Sequence, residues 1–115
     1  MTVTIYHNSR CSKSRQTLDL IRAKGIEPTI IDYLNTAPSF DELQNIFTSL
    51  NLDSALPMVR TKEAEFTQAH LDKNSSNKAL LNGIAEYPKL LERPIVITEK
   101  GTRICRPPEL VNEIL

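Results

Sequence analysis

Cysteine is scarce in this chain, net charge is absent and no long apolar run occurs. The 115 residues contain two cysteines, Cys11 and Cys105. Two thiols so far apart set up no disulfide framework, and in a reducing cytosol both rest as thiols. Lysine plus arginine and aspartate plus glutamate each number 14, so no global field draws the chain toward nucleic acid or a membrane surface. No apolar run reaches the roughly 20 residues that a bilayer crossing needs. The opening MTVTIYHNSR lacks the basic start and long apolar stretch of a signal peptide. The cytoplasm is the expected location, with no nucleic-acid or membrane partner. No repeat or low-complexity tract is present, and His7, His70 and Cys105 show no metal-ligand spacing, so no metal is expected.

What is present is an ordinary globular balance, 40% hydrophobic and 24% charged, in a length that suits one domain over residues 1–115 with one core. TVTIY alternates and predicts a strand from Thr2 to Tyr6. A polar loop follows, then a helix from Ser12 to Lys24, with Leu18 and Ile21 as its apolar stripe and Gly25 as its stop. A second strand is expected from Thr29 to Tyr33. Ser39 and Glu42 form a capping box ahead of Leu43, Ile46, Phe47 and Leu50, which recur at helical spacing. From about Pro57 to Leu91 the chain reads as two or three short helices, VRTKEAEF among them, with a stop at Pro88. RPIVIT is a short apolar strand, EKG a tight turn, TRIC a fourth strand, and RPPELVNEIL opens with prolines and closes as a helix.

That order is β-α-β-α, a helical middle, then β-β-α. Strands joined by a helix pair in parallel, and the last two form a hairpin. The expected fold is α/β and thioredoxin-like: a four-stranded mixed sheet with a helical insertion. Open α/β sheets bind ligands beyond the carboxyl ends of their strands, and Cys11 lies just past the end of the first.

A free cysteine has a pKa of about 8.5, and a helix N-terminus or nearby cations bring it to roughly 3.5–7.5. Cys11 stands at a helix start, where unpaired backbone N–H groups and the dipole favour an anion. Arg10, Lys13 and Arg15 are close in sequence, His7 and Asn8 offer further donors, and the Ser12 and Ser14 hydroxyls could donate to sulfur. This pattern predicts an activated nucleophile; the competing reading is a buried structural thiol, which the polar neighbourhood disfavours. Ser14 occupies the place where a dithiol motif would carry its second cysteine, so any disulfide must be resolved from elsewhere. Thr17 stands where a phosphatase-type loop would need arginine, so that loop is absent. Cys105 alternates with a strand face and is expected in the core. His70 and Arg103 read as solvated surface groups.

Arg60, Arg93 and Arg106 each stand at an edge of a predicted element. Arginine presents a planar fork of donors that matches tetrahedral oxyanions. By analogy with the fold, a cis Arg93–Pro94 bond would bring both residues close to Cys11.

Taken together, YHN..CSKSR.TL, MVRTKEAEF, ERPIVI and ICRPPE resemble the glutaredoxin-dependent arsenate reductase (ArsC) family, in the right order and over nearly the whole chain. The resemblance is to the short form, without a C-terminal extension. It implies a nucleophilic Cys11, an oxyanion-binding set of Arg60, Arg93 and Arg106, and thiolate support from His7, Ser14 and Arg15. It implies that Cys11 attacks arsenate, that glutathione enters as co-substrate with no bound cofactor, and that glutaredoxin supplies the resolving thiol. A monomer is the expected state. One departure is Ser9 and Arg10, where many members carry proline shortly before the cysteine. Two other readings stay open: a glutathione-dependent reductase of a different thiol substrate, and an Spx-type regulator that binds RNA polymerase. The Spx type uses a Cys-x-x-Cys pair, which Ser14 interrupts.

Overall fold

The computed structural model describes all of residues 1–115. The elements run β1 (Thr4–His7), α1 (Ser12–Ala23), β2 (Thr29–Asp32), α2 (Phe40–Leu50), α3 (Ala64–Gln68), α4 (Asn77–Glu86), β3 (Ile95–Thr98) and β4 (Gly101–Ile104), with short 3-10 turns at Leu56–Met58, Pro88–Leu90 and Pro108–Glu113. The chain divides into two compact units, Met1–Thr36 with Arg93–Leu115, and Ala37–Glu92.

The first unit holds the whole sheet, ordered β2-β1-β3-β4. β1 pairs in parallel with β2, and antiparallel pairing links β1 to β3 and β3 to β4. The α/β thioredoxin-like plan, with its helical insertion between α1–β2 and the final hairpin, is therefore the observed one. Because β2 runs with β1 while β3 runs against it, the ends of β1 and β2, the start of β3 and the end of β4 all reach one edge of the sheet.

α1 forms because Ser14, Thr17, Leu18 and Ile21, at i, i+3, i+4 and i+7, are buried along one face. That face meets Val3, Ile5, Val96, Cys105, Val111 and Ile114 in a continuous core. Each fully buried aliphatic side chain contributes about 1.5–3 kcal/mol relative to exposure. α1 ends where Lys24 caps it and Gly25 turns left-handed at φ +77°, its N–H bonded to the Arg22 carbonyl at 2.9 Å. Cys105 is fully buried, and burial pushes its thiol up to about 12; it is core, as expected.

The closing segment is a 3-10 helix rather than an α-helix. Its buried residues Pro108, Val111 and Ile114 recur every third position, which suits three residues per turn. The first strand also sits later than its alternation predicts, at Thr4–His7 instead of Thr2–Tyr6, the span over which β2 and β3 pair with it in register.

The second unit carries α2, α3 and α4. Ser39 accepts a hydrogen bond from the Glu42 N–H at 3.1 Å, the N-cap half of the expected box. Leu43 and Ile46 of α2 and Leu80, Leu81 and Ile84 of α4 are buried. VRTKEAEF is helical only from Ala64. Val59 instead pairs with Leu91 in an antiparallel bridge, flanked by Arg60 N–H to Leu90 carbonyl at 2.7 Å and Glu92 N–H to Met58 carbonyl at 2.8 Å. This two-stranded ribbon joins residues some thirty apart, and local periodicity carries no sign of it.

No helix is long and apolar enough to cross a membrane. Replacing Gly25 with alanine forces a Cβ into the left-handed region, and the expected cost is about 1–2 kcal/mol. Urea unfolding of Gly25→Ala against the parent checks it; an unchanged midpoint would contradict the role given to this stop.

Candidate functional site

Cys11 is the N-cap of α1, with extended backbone (φ −95°, ψ 122°), and no side-chain oxygen caps the helix. The usual residues there are serine, threonine, aspartate and asparagine; a cysteine leaves the first-turn amides facing sulfur. The loop is rigid around it. Cys11 N–H donates to the Asn8 carbonyl at 3.0 Å, and Arg15 N–H donates to the Cys11 carbonyl at 3.0 Å.

Four effects act on the Cys11 thiol. Partial burial, the largest, disfavours the anion; the Ser14 backbone N–H, the hydrogen bond and charge of the Arg93 guanidinium, and the Lys13 backbone N–H all favour it. The three favourable groups together prevail, and the thiol is held below its ordinary pKa. Arg93 reaches this place because it precedes β3, at the sheet edge where β1 ends. Its peptide bond to Pro94 is cis, as the fold analogy anticipated. The Arg93 Nε is buried and makes no hydrogen bond. The Arg93 carbonyl accepts from Arg106 Nη1 at 3.1 Å, so the backbone before β3 tethers the arginine that follows β4. The Arg106–Pro107 bond is also cis, and nothing in the sequence reading foretold it.

The remaining loop residues act otherwise than proximity in sequence suggested. Ser14 is fully buried. Its hydroxyl oxygen accepts from Asn8 N–H at 3.1 Å and lies 2.6 Å from His7 Nδ1. The buried hydroxyl proton needs an acceptor, and His7 Nδ1 is the one at hand, which puts the ring proton on Nε2. Ser14 thus serves sulfur through its amide and His7 through its hydroxyl. Burial, the largest effect, pulls the His7 pKa below 6.5; Asp32 opposes this, while Arg22 and Arg15 reinforce it. His7 is therefore neutral at pH 7. Arg15 donates from Nη1 to the Ser9 carbonyl at 2.9 Å and so braces the loop. Lys13 acts through its backbone, not its ammonium.

Arg60 belongs to the second unit, on the ribbon described above. Its Nε lies 3.3 Å from Glu63 Oε1 and its Nη1 3.1 Å from Glu92 Oε1, leaving Nη2 as the remaining donor. Burial works to raise the Glu63 pKa, but Arg60 and Lys89 outweigh it and hold that carboxyl below its ordinary value. Sequence reasoning missed both carboxylates. Glu63 follows Arg60 at helical spacing and could have been found, whereas Glu92 comes from the opposite side of the ribbon. Arg103 pairs with Glu113 at 2.9 Å, and His70 is exposed with φ +58°.

Since the thiolate is favoured, iodoacetamide should alkylate Cys11 with a midpoint below that of an ordinary cysteine. Arg93→Ala should move the midpoint up, because it removes a cation from the anionic form. Mass spectrometry of the Cys11 peptide across pH checks both; a midpoint at or above that of free glutathione would refute the arrangement.

Residues 6–114 match the ArsC family. An arsenate reductase of Haemophilus influenzae is 47% identical over 116 residues, spanning 100% of both chains. An arsenate reductase of Rhizobium meliloti is 44% identical over 116 residues, covering 100% of this chain and 82% of that protein. Among solved structures, an arsenate reductase from Vibrio cholerae superposes with a TM-score of 0.94 at 47% identity, over 100% of this chain and 98% of the other. The chain belongs to the ArsC family.

Proposed function

We propose that the protein is an arsenate reductase that works through the Cys11 thiolate, with glutathione and glutaredoxin as electron donors. The observation that carries this reading is the thiol at the α1 N-terminus, its pKa held below the ordinary value with the help of a guanidinium whose buried Nε has no hydrogen-bond partner. The names of relatives 44–47% identical over the full chain support the substrate.

In the proposed reaction the Cys11 sulfur attacks As(V), and an arsenate oxygen leaves as water with protons from solvent. Glutathione sulfur then bonds to arsenic as a second oxygen leaves as water. A glutaredoxin thiolate attacks that glutathione sulfur. The S–As bond breaks with its electron pair kept by arsenic, which becomes As(III). Water releases arsenite from Cys11. The sum is arsenate plus two thiols giving arsenite, one disulfide and one water. The external donor suits a chain with Ser14 in place of a second cysteine, since Cys105 is buried in the core.

Arg93, Arg106 and Arg60 are assigned to the oxyanion. Arg93 offers its Nε, and Arg106, tied to the Arg93 carbonyl, brings a second guanidinium to the same strand end. Arg60 Nη2 is the third donor in this reading, with Glu63 and Glu92 fixing its fork. Ser14 and Arg15 support the thiolate by amide and loop, and His7 does so indirectly, by orienting Ser14.

Arsenate-dependent NADPH oxidation, coupled through glutathione, glutaredoxin and glutathione reductase, tests the reading. Cys11→Ser should abolish turnover. Arg93→Ala and Arg60→Ala should each lower kcat/KM for arsenate roughly ten- to hundredfold, the range expected for losing a charged hydrogen bond. If arsenate gives no turnover while a glutathione mixed disulfide does, the substrate is a thiol instead.

A further inference from the structure

A groove of about 300 Å³ opens beside the reactive loop, lined by Asn8, Ser9 and Arg10 after β1 and by Asp32, Leu34 and Asn35 at the end of β2. This volume is at the small end of ligand pockets. In the sequence Asn8 and Arg10 stand out as neighbours of Cys11, and Arg10 also as a departure from a common family pattern, but none of the six residues has been given a ligand to bind.

The position follows from the sheet order. β2 and β3 flank β1 on opposite sides. The Arg93 and Arg106 side of Cys11 belongs to β3 and β4, and the groove belongs to β2. The groove is lined by the three residues that immediately precede Cys11, so a reactant seated in it lies next to the Cys11 loop on the β2 flank of β1. The two shared loop residues are held close: Asn8 receives the Cys11 N–H, and its own Oδ1 accepts from Arg10 N–H at 3.0 Å.

The lining is dipolar. Arg10 and Asp32 are both exposed, and each lacks a partner of opposite charge within ion-pair distance, whereas Arg22, Arg60, Arg103 and Lys89 are all paired with carboxylates. Asp32 is held in place by Asn35 Nδ2, which donates to its Oδ2 at 2.6 Å. Leu34, 43% exposed, gives the groove an apolar patch between the charges. A guanidinium with no carboxylate, a carboxylate with no cation and a short apolar stretch complement a small zwitterion with methylene groups.

We infer that this groove seats the thiol co-substrate, a γ-glutamyl tripeptide such as glutathione, with a carboxylate on Arg10 and the ammonium on Asp32. The inference rests on the reading of glutathione as donor and adds where it docks and what selects it. A charge-free thiol gains nothing from the groove.

A measurement without arsenate tests it. The Cys11 thiolate attacks one sulfur of oxidised glutathione, the S–S bond breaks, a Cys11–glutathione disulfide forms and one glutathione thiolate leaves. The rate of this step, followed by intact-mass spectrometry, is compared with that for hydroxyethyl disulfide, which carries no charge. The parent protein should prefer oxidised glutathione. Arg10→Glu should cut that preference roughly tenfold and Asp32→Asn about fivefold, as expected for solvent-exposed charge contacts. Arg10→Gln, which keeps length and polarity, should fall between parent and Arg10→Glu. The same preference ratio in the parent and all three variants would overturn the assignment. As a second arm, unreactive S-methylglutathione should shift the backbone amides of Ser9, Arg10 and Asn35 in an NMR titration, and shifts confined to other surfaces would overturn it as well. Neither arm involves arsenate, so a protein unable to reduce arsenate can pass both, and an arsenate reductase can fail both.

Discussion

The electrostatic partnership between one sulfur and its surroundings at the start of α1 organises this protein. The cysteine at the N-cap supplies no oxygen for the first-turn amides, so the amides of Lys13 and Ser14 are available to a thiolate. Burial would by itself keep the thiol protonated. Arg93, arriving from the start of the neighbouring strand β3, helps to tip the balance. The arrangement depends on geometry at the level of the strand order: the guanidinium reaches sulfur only because β3 starts at the edge where β1 stops.

Around that pair, polar groups are spent on position more than on charge. The fully buried Ser14 connects the Asn8 amide, the His7 ring and, through its own N–H, the Cys11 sulfur. The Ser14 hydroxyl and amide are both engaged in this small network, as a buried polar residue requires. His7 is neutral in it, so the positive field at sulfur comes from Arg93 and the helix end. Arg15 closes the loop through the Ser9 carbonyl. On the second unit, Arg60 is held by an analogous device, two carboxylates on two sides of a short ribbon. An arginine so clamped has lost much of its rotamer freedom, which would reduce the entropy cost of the oxyanion role proposed for it.

The opposite wall of the Cys11 loop has a different character. Arg10 and Asp32 stand exposed with neither charge in an ion pair, whereas Arg22, Arg60 and Arg103 have found carboxylates. Opposite charges that line one groove without an ion pair suit a ligand that brings its own pair. The sulfur thus lies between a side rich in guanidinium groups and a side of mixed sign. Such a division suits a reaction that must hold an oxyanion and a zwitterionic thiol at once.

The linear sequence by itself determined the elements with strong local signals. α1 followed from its spacing and Gly25, α2 from Ser39 and Glu42, and the hairpin from an apolar run, a turn and a second run. It also singled out Cys11 as the candidate nucleophile, since cations, a strand end and a helix start around one cysteine are all local facts, and it identified the family, since four motifs stand in order. Tertiary structure alone decided what depends on contacts between distant residues. It turned VRT into a ribbon against residues 90–92, because Val59 and Leu91 pair across a helix pair that local periodicity cannot see. It made the final segment 3-10, because the core receives every third side chain there. It gave the Ser14 hydroxyl to His7 rather than to sulfur, set Glu92 against Arg60, and left Arg10 and Asp32 facing one groove. Periodicity and capping report what a residue does with its neighbours within about a turn; charge pairing and burial are settled only when strands from opposite ends of the chain meet.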